Sequence, residues 1–181
     1  FEELCSLPIP LRALVRGAVY GGAVGLVACA DFTIASESTR FCLSEAKLGL
    51  LPAVIMPYLA RRMPSAVLRR FALSAQTFNA PIAERAGLVG IITPEAQFSE
   101  TCQREIGALL ECGKEAQKQI KTLLQTLGHN QFPQDVATAE AIATARTSAE
   151  GQAGLEGFFA KQPPHWREAM ASPPPEFGDE L

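Results

Sequence analysis

The chain has 181 residues, 48% of them hydrophobic, with 16 Lys and Arg against 19 Asp and Glu, a formal charge of −3. That length supports one domain with a sizeable core, and the near-balanced charge argues against nucleic acid or an anionic membrane surface as a partner. Five cysteines without a C-x-x-C pair fit neither a disulfide framework nor a zinc site, and no uncharged stretch reaches the ~18 apolar residues of a membrane span.

Phe1 to Leu7 reads as the tail of a helix, stopped by Pro8 and Pro10. An apolar strand is expected over 11–15. A glycine turn at Gly21–Gly22, a small-residue helix over 23–30 and a second strand over 31–35 follow. Residues 43–51 are short and mixed, and Pro52 opens a helix over 52–62. Further helices are expected over 65–74 and from Pro81 to a C-cap at Gly87, then a short strand over 88–92. Beyond Pro94 the pattern is helical, near 95–111, 113–127, 134–148 and 150–161. Phe98, Cys102, Ile106, Leu109 and Leu110 recur at helical spacing and mark a core-facing stripe. This places alternating strands and helices over 1–94 (the part that, on the resemblance given below, is the C-terminal portion of a spiral core), a helical region over 95–167 and a flexible, proline-rich tail over 168–181. Cys5, Cys29, Cys42, Cys102 and Cys112 are expected to be small buried residues of a protein kept in the reducing cytoplasm.

The chemistry concentrates in residues 17–49. Backbone N–H groups at a helix start have no internal partner, and glycine lets a ligand approach them closely. Glu45 is a lone carboxylate in a segment otherwise poor in charge. An N–H cradle beside one acid suits stabilising an enolate and moving protons. Taken separately, the glycine pair is an ordinary tight turn and Glu45 a solvated surface acid. What favours a site is the family resemblance described next, whose order and spacing they match.

Val15-Arg16-Gly17-Ala18-Val19-Tyr20-Gly21-Gly22, Ala30-Asp31-Phe32-Thr33-Ile34-Ala35 and Arg40-Phe41-Cys42-Leu43-Ser44-Glu45 carry a family pattern. Lys47-Leu48-Gly49-Leu50-Leu51-Pro52 and Ala86-Gly87-Leu88-Val89 extend it. Together they resemble the crotonase (enoyl-CoA hydratase/isomerase) superfamily, from Phe1 to about Arg167. Within it, Gly22 to Leu26, Pro52 to Ile55 with Pro57-Tyr58, and the stretches at Arg146–Gly151 and Lys161–Pro164 are most similar to the methylglutaconyl-CoA hydratase and isohexenylglutaconyl-CoA hydratase branch.

The resemblance implies an α/β fold, a ββα spiral followed by a helical C-terminal trimerisation region. It also implies that the N-terminal part of that fold, with the first oxyanion donor, lies upstream of Phe1. Gly22 N–H matches the second oxyanion donor, Gly21 sits in the same turn, and Glu45 matches one of two hydratase glutamates. The other falls at Gly25, which has no carboxylate. Pro52 and Ala53 match the start of a helix bordering the acyl pocket. Phe158 and Lys161 match positions that touch the adenine and phosphate of coenzyme A. Tyr20, Met56 and Tyr58 are acyl-pocket candidates, with core packing as the simpler reading. Three readings stay open: hydration of a branched acyl-CoA such as 3-methylglutaconyl-CoA, double-bond isomerisation by Glu45 alone, and a non-catalytic homologue. The expected partner is an acyl-CoA thioester, whose coenzyme A belongs to the substrate, with no separate cofactor and no metal. A homo-trimer or hexamer is implied as well. His129 and His165 are the only histidines and have no ligand-like spacing. Trp166 is expected to anchor on another surface, such as a neighbouring subunit.

Overall fold

A computed structural model describes residues 1–129, 135–164 and 166. They form two compact units, one of residues 1–7 and 11–102, the other of residues 8–10 and the chain from 103 onward.

In the first unit a short helix, α1 (Glu2–Ser6), precedes β1 (Arg12–Val15), β2 (Ala18–Tyr20), α2 (Gly22–Cys29), β3 (Phe32–Ser36) and β4 (Arg40–Cys42). The first four strands alternate between two small sheets. One has the order β1-β3 and then β6 (Ile91–Thr93), all parallel; the other runs β2-β4 in parallel and then β5 (Phe78–Asn79), antiparallel to β4. Only Arg16 and Gly17 separate β1 from β2, so the chain steps between sheets in two residues. Arg40 N–H returns to Gly17 O at 2.8 Å, and the Thr39 hydroxyl donates to Val15 O at 3.1 Å, pinning both crossings together. The register of β2 on β4 pairs Ala18 with Arg40, Val19 with Phe41 and Tyr20 with Cys42.

The helix α2 has no polar face. Val24, Gly25, Val27, Ala28 and Cys29 are all buried, which suits a helix covered on several sides. It packs on α3 (Met56–Arg62), while α4 (Ser65–Ser74) turns Leu68 and Phe71 into the same core. Phe78 stands between Phe41 and Phe71, with ring centroids 5.5 and 4.4 Å away. Arg62 fastens α3 from the side: its Nε donates to Gly87 O at 3.2 Å and its Nη1 to Ala30 O, and burial pulls its pKa down. α5 (Ala80–Arg85) follows β5, and Asn79 caps it by accepting from Ile82 N–H at 3.1 Å. A smaller cluster joins Ile34, Phe98 and Cys102, the last two from α6 (Phe98–Leu110).

The second unit contains α7 (Lys114–His129), α8 (Asp135–Thr147) and α9 (Ala149–Ala160). Glu150 closes the start of α7 by accepting from Glu115 N–H at 3.0 Å and Ala116 N–H at 2.8 Å. Ser148 caps α9 through Gly151 N–H at 3.0 Å. The Lys121 ammonium is buried and donates to Ile9 O at 3.0 Å.

Several expectations change here. The strands β2, β4 and β5, of two or three residues each, were not anticipated. The helix expected over 52–62 begins only at Met56, because Pro52 O takes Ile55 and Met56 N–H into a turn (3.2 and 3.0 Å). The strand expected over 88–92 begins at Ile91, since Leu88 and Val89 N–H both close on Ala83 O. Of the cysteines, Cys29, Cys42 and Cys102 are buried, but Cys5 is half-buried and Cys112 exposed. The helical stripe buries Phe98 and Cys102 fully, Ile106 and Leu109 partly, and leaves Leu110 exposed. Trp166 anchors within its own chain, donating from Nε1 to Glu111 O at 3.2 Å beside Gly154. His165 and the tail over 168–181 lie outside the described residues.

Candidate active site

β2 ends at Tyr20, and Gly21 N–H extends its ladder by donating to Cys42 O at 2.9 Å. Gly21 then takes φ 54° and ψ −126°, a conformation closed to residues with a β-carbon. That reversal makes Gly22 the first residue of α2. Gly21 O accepts from Val24 N–H at 3.0 Å, whereas the N–H groups of Gly22 and Ala23 open the helix, where no intrahelical acceptor exists. Both residues are exposed.

The parallel strand next door supplies the acid. After β4, Leu43 is buried as a plug, Ser44 is half-buried, and Glu45 opens a short 3-10 helix, Glu45–Leu48. A β-carbon built on Gly21 would lie 3.5 Å from Glu45 Oε1 and 3.7 Å from Ser44 Oγ, so carboxylate and hydroxyl both face the glycine turn. Glu45 Oε2 is buried without a hydrogen-bond partner. A carboxylate oxygen so placed is costly unless something else bonds it, which marks it as a group awaiting a ligand proton. The donor turn and the acid expected from the sequence are therefore brought together.

Gly25 is not part of that opening. It is buried one helical turn beyond Gly22; a β-carbon there would overlap Ile55 Cγ2 and come within 2.7 Å of Ile55 Cβ and 2.9 Å of Phe1 Cε1. Gly25, expected among the substrate-binding residues, lies in the packing of α2 on α3. The absence of a side chain at 25 is what lets Ile55 in, and no second carboxylate fits there. Pro52 is buried and Ala53 exposed in the turn leading to α3. Along the same stretch Leu48, Leu50, Leu51 and Val54 are all exposed apolar residues that follow Glu45 in the chain. Tyr58 is half-buried against Phe1, centroids 5.6 Å apart, and Tyr20 is exposed.

In the second unit Phe158 is 75% exposed, so it is not a packing residue of that unit; its ring meets Phe159 edge-on at 5.6 Å. Lys161 ends α9 in a left-handed conformation, φ 55°, and is exposed. Both line a cavity of about 560 Å³ that Trp166, Glu111 and Gly157 also border. Among the described residues no cluster of three His, Cys, Asp or Glu is placed to hold a metal, and no helix is long and apolar enough to cross a membrane. Sequence reasoning missed Ser44 and Ile55. Ser44 stood inside a recognised motif, but Ile55 carried no signal, since its part is steric.

Comparison with known proteins bears on this arrangement. Residues 1–169 match the family model described as Enoyl-CoA hydratase/isomerase. An enoyl-CoA hydratase from Shewanella pealeana is 41% identical with TM-score 0.85 over 91% of this chain and 62% of its own. AtuE of Pseudomonas aeruginosa is 34% identical with TM-score 0.86 over 92% of this chain and 65% of its own. Among curated proteins, rat enoyl-CoA hydratase domain-containing protein 3, mitochondrial, is 27% identical over 164 residues, 88% of this chain and 53% of its length. The chain thus spans about half to two thirds of the proteins it matches. With its alternating ββα strands, glycine donor turn and facing carboxylate, the chain belongs to the enoyl-CoA hydratase/isomerase family and has the crotonase fold.

Proposed function

We propose that the protein adds water to a branched α,β-unsaturated acyl-CoA of the 3-methylglutaconyl type, using Glu45 as acid and base. The observation that carries this is the buried, unpartnered Glu45 Oε2 on a carboxylate that faces the glycine turn. The thioester carbonyl oxygen takes the Gly22 N–H at the start of α2, a donor worth ~3 kcal/mol once charge develops on that oxygen. Glu45, ionised, removes a proton from water as the water oxygen bonds the β-carbon. The π pair moves onto the thioester oxygen as an enolate. The Glu45 carboxyl then returns the same proton to the α-carbon. The balance is one water consumed, with no change of oxidation state and hence no redox cofactor.

The exposed leucines and valine around residues 48–54 offer apolar surface to the acyl chain. Similarity of residues 22–26, 52–58 and 146–164 to the methylglutaconyl branch supports a branched substrate that carries its own distal carboxylate. Phe158 and Lys161, sharing one cavity, suit the adenine ring and a phosphate of coenzyme A. A homo-trimer or hexamer is part of the same reading, and exposed Ile120, Leu124 and Ile142 provide apolar surface for it.

One observation favours a second reading. Ile55 fills the space beside Gly25 where a second acid would stand, and a lone Glu45 is enough to move a proton between carbons, as an isomerase does. Hydration of 3-methylglutaconyl-CoA, followed as loss of conjugated-thioester absorbance, tests the choice. Turnover by the wild type, lost in Glu45→Gln while thioester binding persists, is the expected result; hydration retained in Glu45→Gln refutes the assignment.

A further inference from the structure

We infer that Ser44 is the positioning residue for the water that Glu45 activates, the job a second carboxylate would otherwise do; this rests on the hydratase reading above. Three observations converge. First, the position from which a second acid would act is filled: Gly25 is buried, and a side chain there would meet Ile55 and Phe1. Second, Ser44 Oγ and Glu45 Oε1 approach the same point, 3.7 and 3.5 Å from where a β-carbon of Gly21 would be. Third, the Ser44 hydroxyl makes no hydrogen bond within the described residues, although it precedes a 3-10 helix whose start a serine commonly caps. A half-buried serine whose hydroxyl forgoes its local N–H donor stands beside a carboxylate with one unpartnered oxygen, and Ser44 Oγ and Glu45 Oε1 face one small space.

A water needs two to four polar partners to be held in such a place. Here Glu45 Oε1 accepts one of its protons and Ser44 Oγ donates to its oxygen, leaving an oxygen lone pair for the β-carbon of the acyl chain. The step is the one already balanced: the O–H bond to Glu45 breaks, the C–O bond forms, and the proton returns through Glu45 to the α-carbon. Ser44 exchanges no proton overall. Its hydroxyl fixes the direction from which oxygen arrives, and displacing a reactant by about 1 Å can cost 100-fold in rate.

Ser44 must therefore matter for adding water and not for moving the α-proton. The two are separable on one protein. Hydration is read with 3-methylglutaconyl-CoA. Proton removal is read as deuterium uptake at the α-carbon of saturated 3-methylglutaryl-CoA in heavy water, a thioester with no double bond to hydrate. Ser44→Ala is expected to lower kcat for hydration about 100-fold with KM within threefold, while deuterium uptake stays within twofold of wild type. Retained uptake also reports that the variant is folded. Ser44→Thr, which keeps the hydroxyl, is expected to recover at least tenfold of the lost rate. Hydration within twofold of wild type in Ser44→Ala overturns the inference. So does an equal fall of hydration and exchange, which would make Ser44 a support for Glu45 alone. A wild type that exchanges deuterium but never hydrates overturns both this role and the hydratase reading in favour of isomerisation; a wild type silent in both assays overturns any single-acid enolate chemistry at Glu45.

Discussion

Replacing Gly25 by alanine adds one methyl group where Ile55 already is. Built on the observed backbone, the new carbon overlaps Ile55 Cγ2 and lies 2.7 Å from Ile55 Cβ and 2.9 Å from Phe1 Cε1. Ile55 is 3% exposed and shares its cluster with Val24 and Leu59, so it has little freedom to withdraw. Two effects oppose each other. Alanine is the better helix former by about 1 kcal/mol, whereas overpacking a filled core costs about 1–3 kcal/mol. Contacts this short, two of them on Ile55 near its backbone, put the steric cost at the upper end. The net expectation is about 1–2 kcal/mol of destabilisation, or roughly 2–8 °C in Tm for a chain of this size. Ile55→Ala alone opens a cavity and costs about 2–5 kcal/mol. In the double variant the alanine methyl at 25 no longer meets the longer side chain, so the two costs fall short of their sum by about 1–2 kcal/mol. Urea denaturation of the four proteins measures that coupling. A Gly25→Ala variant more stable than wild type, or costs that add within about 0.5 kcal/mol, would refute the steric argument.

Gly21→Ala forces a residue with a β-carbon into φ 54°, ψ −126°, with the new methyl in ordinary contact with Glu45 Oε1; the backbone strain is expected to cost about 1–3 kcal/mol by thermal melting, with kcat for the proposed hydration falling as Gly22 N–H is displaced. Glu150→Ala frees two N–H groups at the start of α7 and is expected to cost about 1–2 kcal/mol, with Glu150→Gln recovering part of it; circular dichroism melts check both. Cys29 is pushed up to about 12, first by burial and then by its hydrogen bond with Cys5, from an ordinary 9.0. The unfolded chain loses this proton first, so the stability contributed by the protonated thiol is full below pH 9 and lost between 9 and about 12; a Cys29→Ala protein should show a shallower decline in Tm across that window. Under native conditions alkylation is expected to label exposed Cys112 before buried Cys29, Cys42 and Cys102, as peptide mass mapping would show.

The strand–turn–helix–strand segment was readable because each piece has a local cause. Apolar runs gave β1 and β3, the glycine pair marked the reversal, and small residues marked the buried α2. β2, β4 and β5 were not readable, since two or three residues carry no periodicity and such strands exist only through distant ladder partners, as when Arg40 pairs with both Ala18 and Asn79. The late start of α3 came from a competition between proline-led turn and helix at Pro52, and Pro57 in the first turn of α3 was the stronger marker. At the candidate site, Gly22 and Glu45 were legible through resemblance to the family's motifs. The plug at Gly25 was not, because it depends on how closely α3 approaches α2. Trp166 was expected to anchor on another surface, and the bond it makes to Glu111 O carried no local signal in the sequence.

The pairing of Tyr20 with Cys42 has a consequence for how such a site can change over time. The candidate donor Gly22 lies two residues past Tyr20 and the candidate acid Glu45 three past Cys42, so the spacing of their backbones is a property of two adjacent strands. Shifting β4 by one residue would move the acid about 3.3 Å and turn every buried residue of the strand to the wrong face. The apolar segment from Leu48 to Val54 hangs outside that ladder. On the proposed hydratase reading, insertions in the crossing at 37–39 are expected to abolish turnover, whereas replacements at 48–54 would change which acyl chain fits and leave the Gly22–Glu45 spacing unchanged.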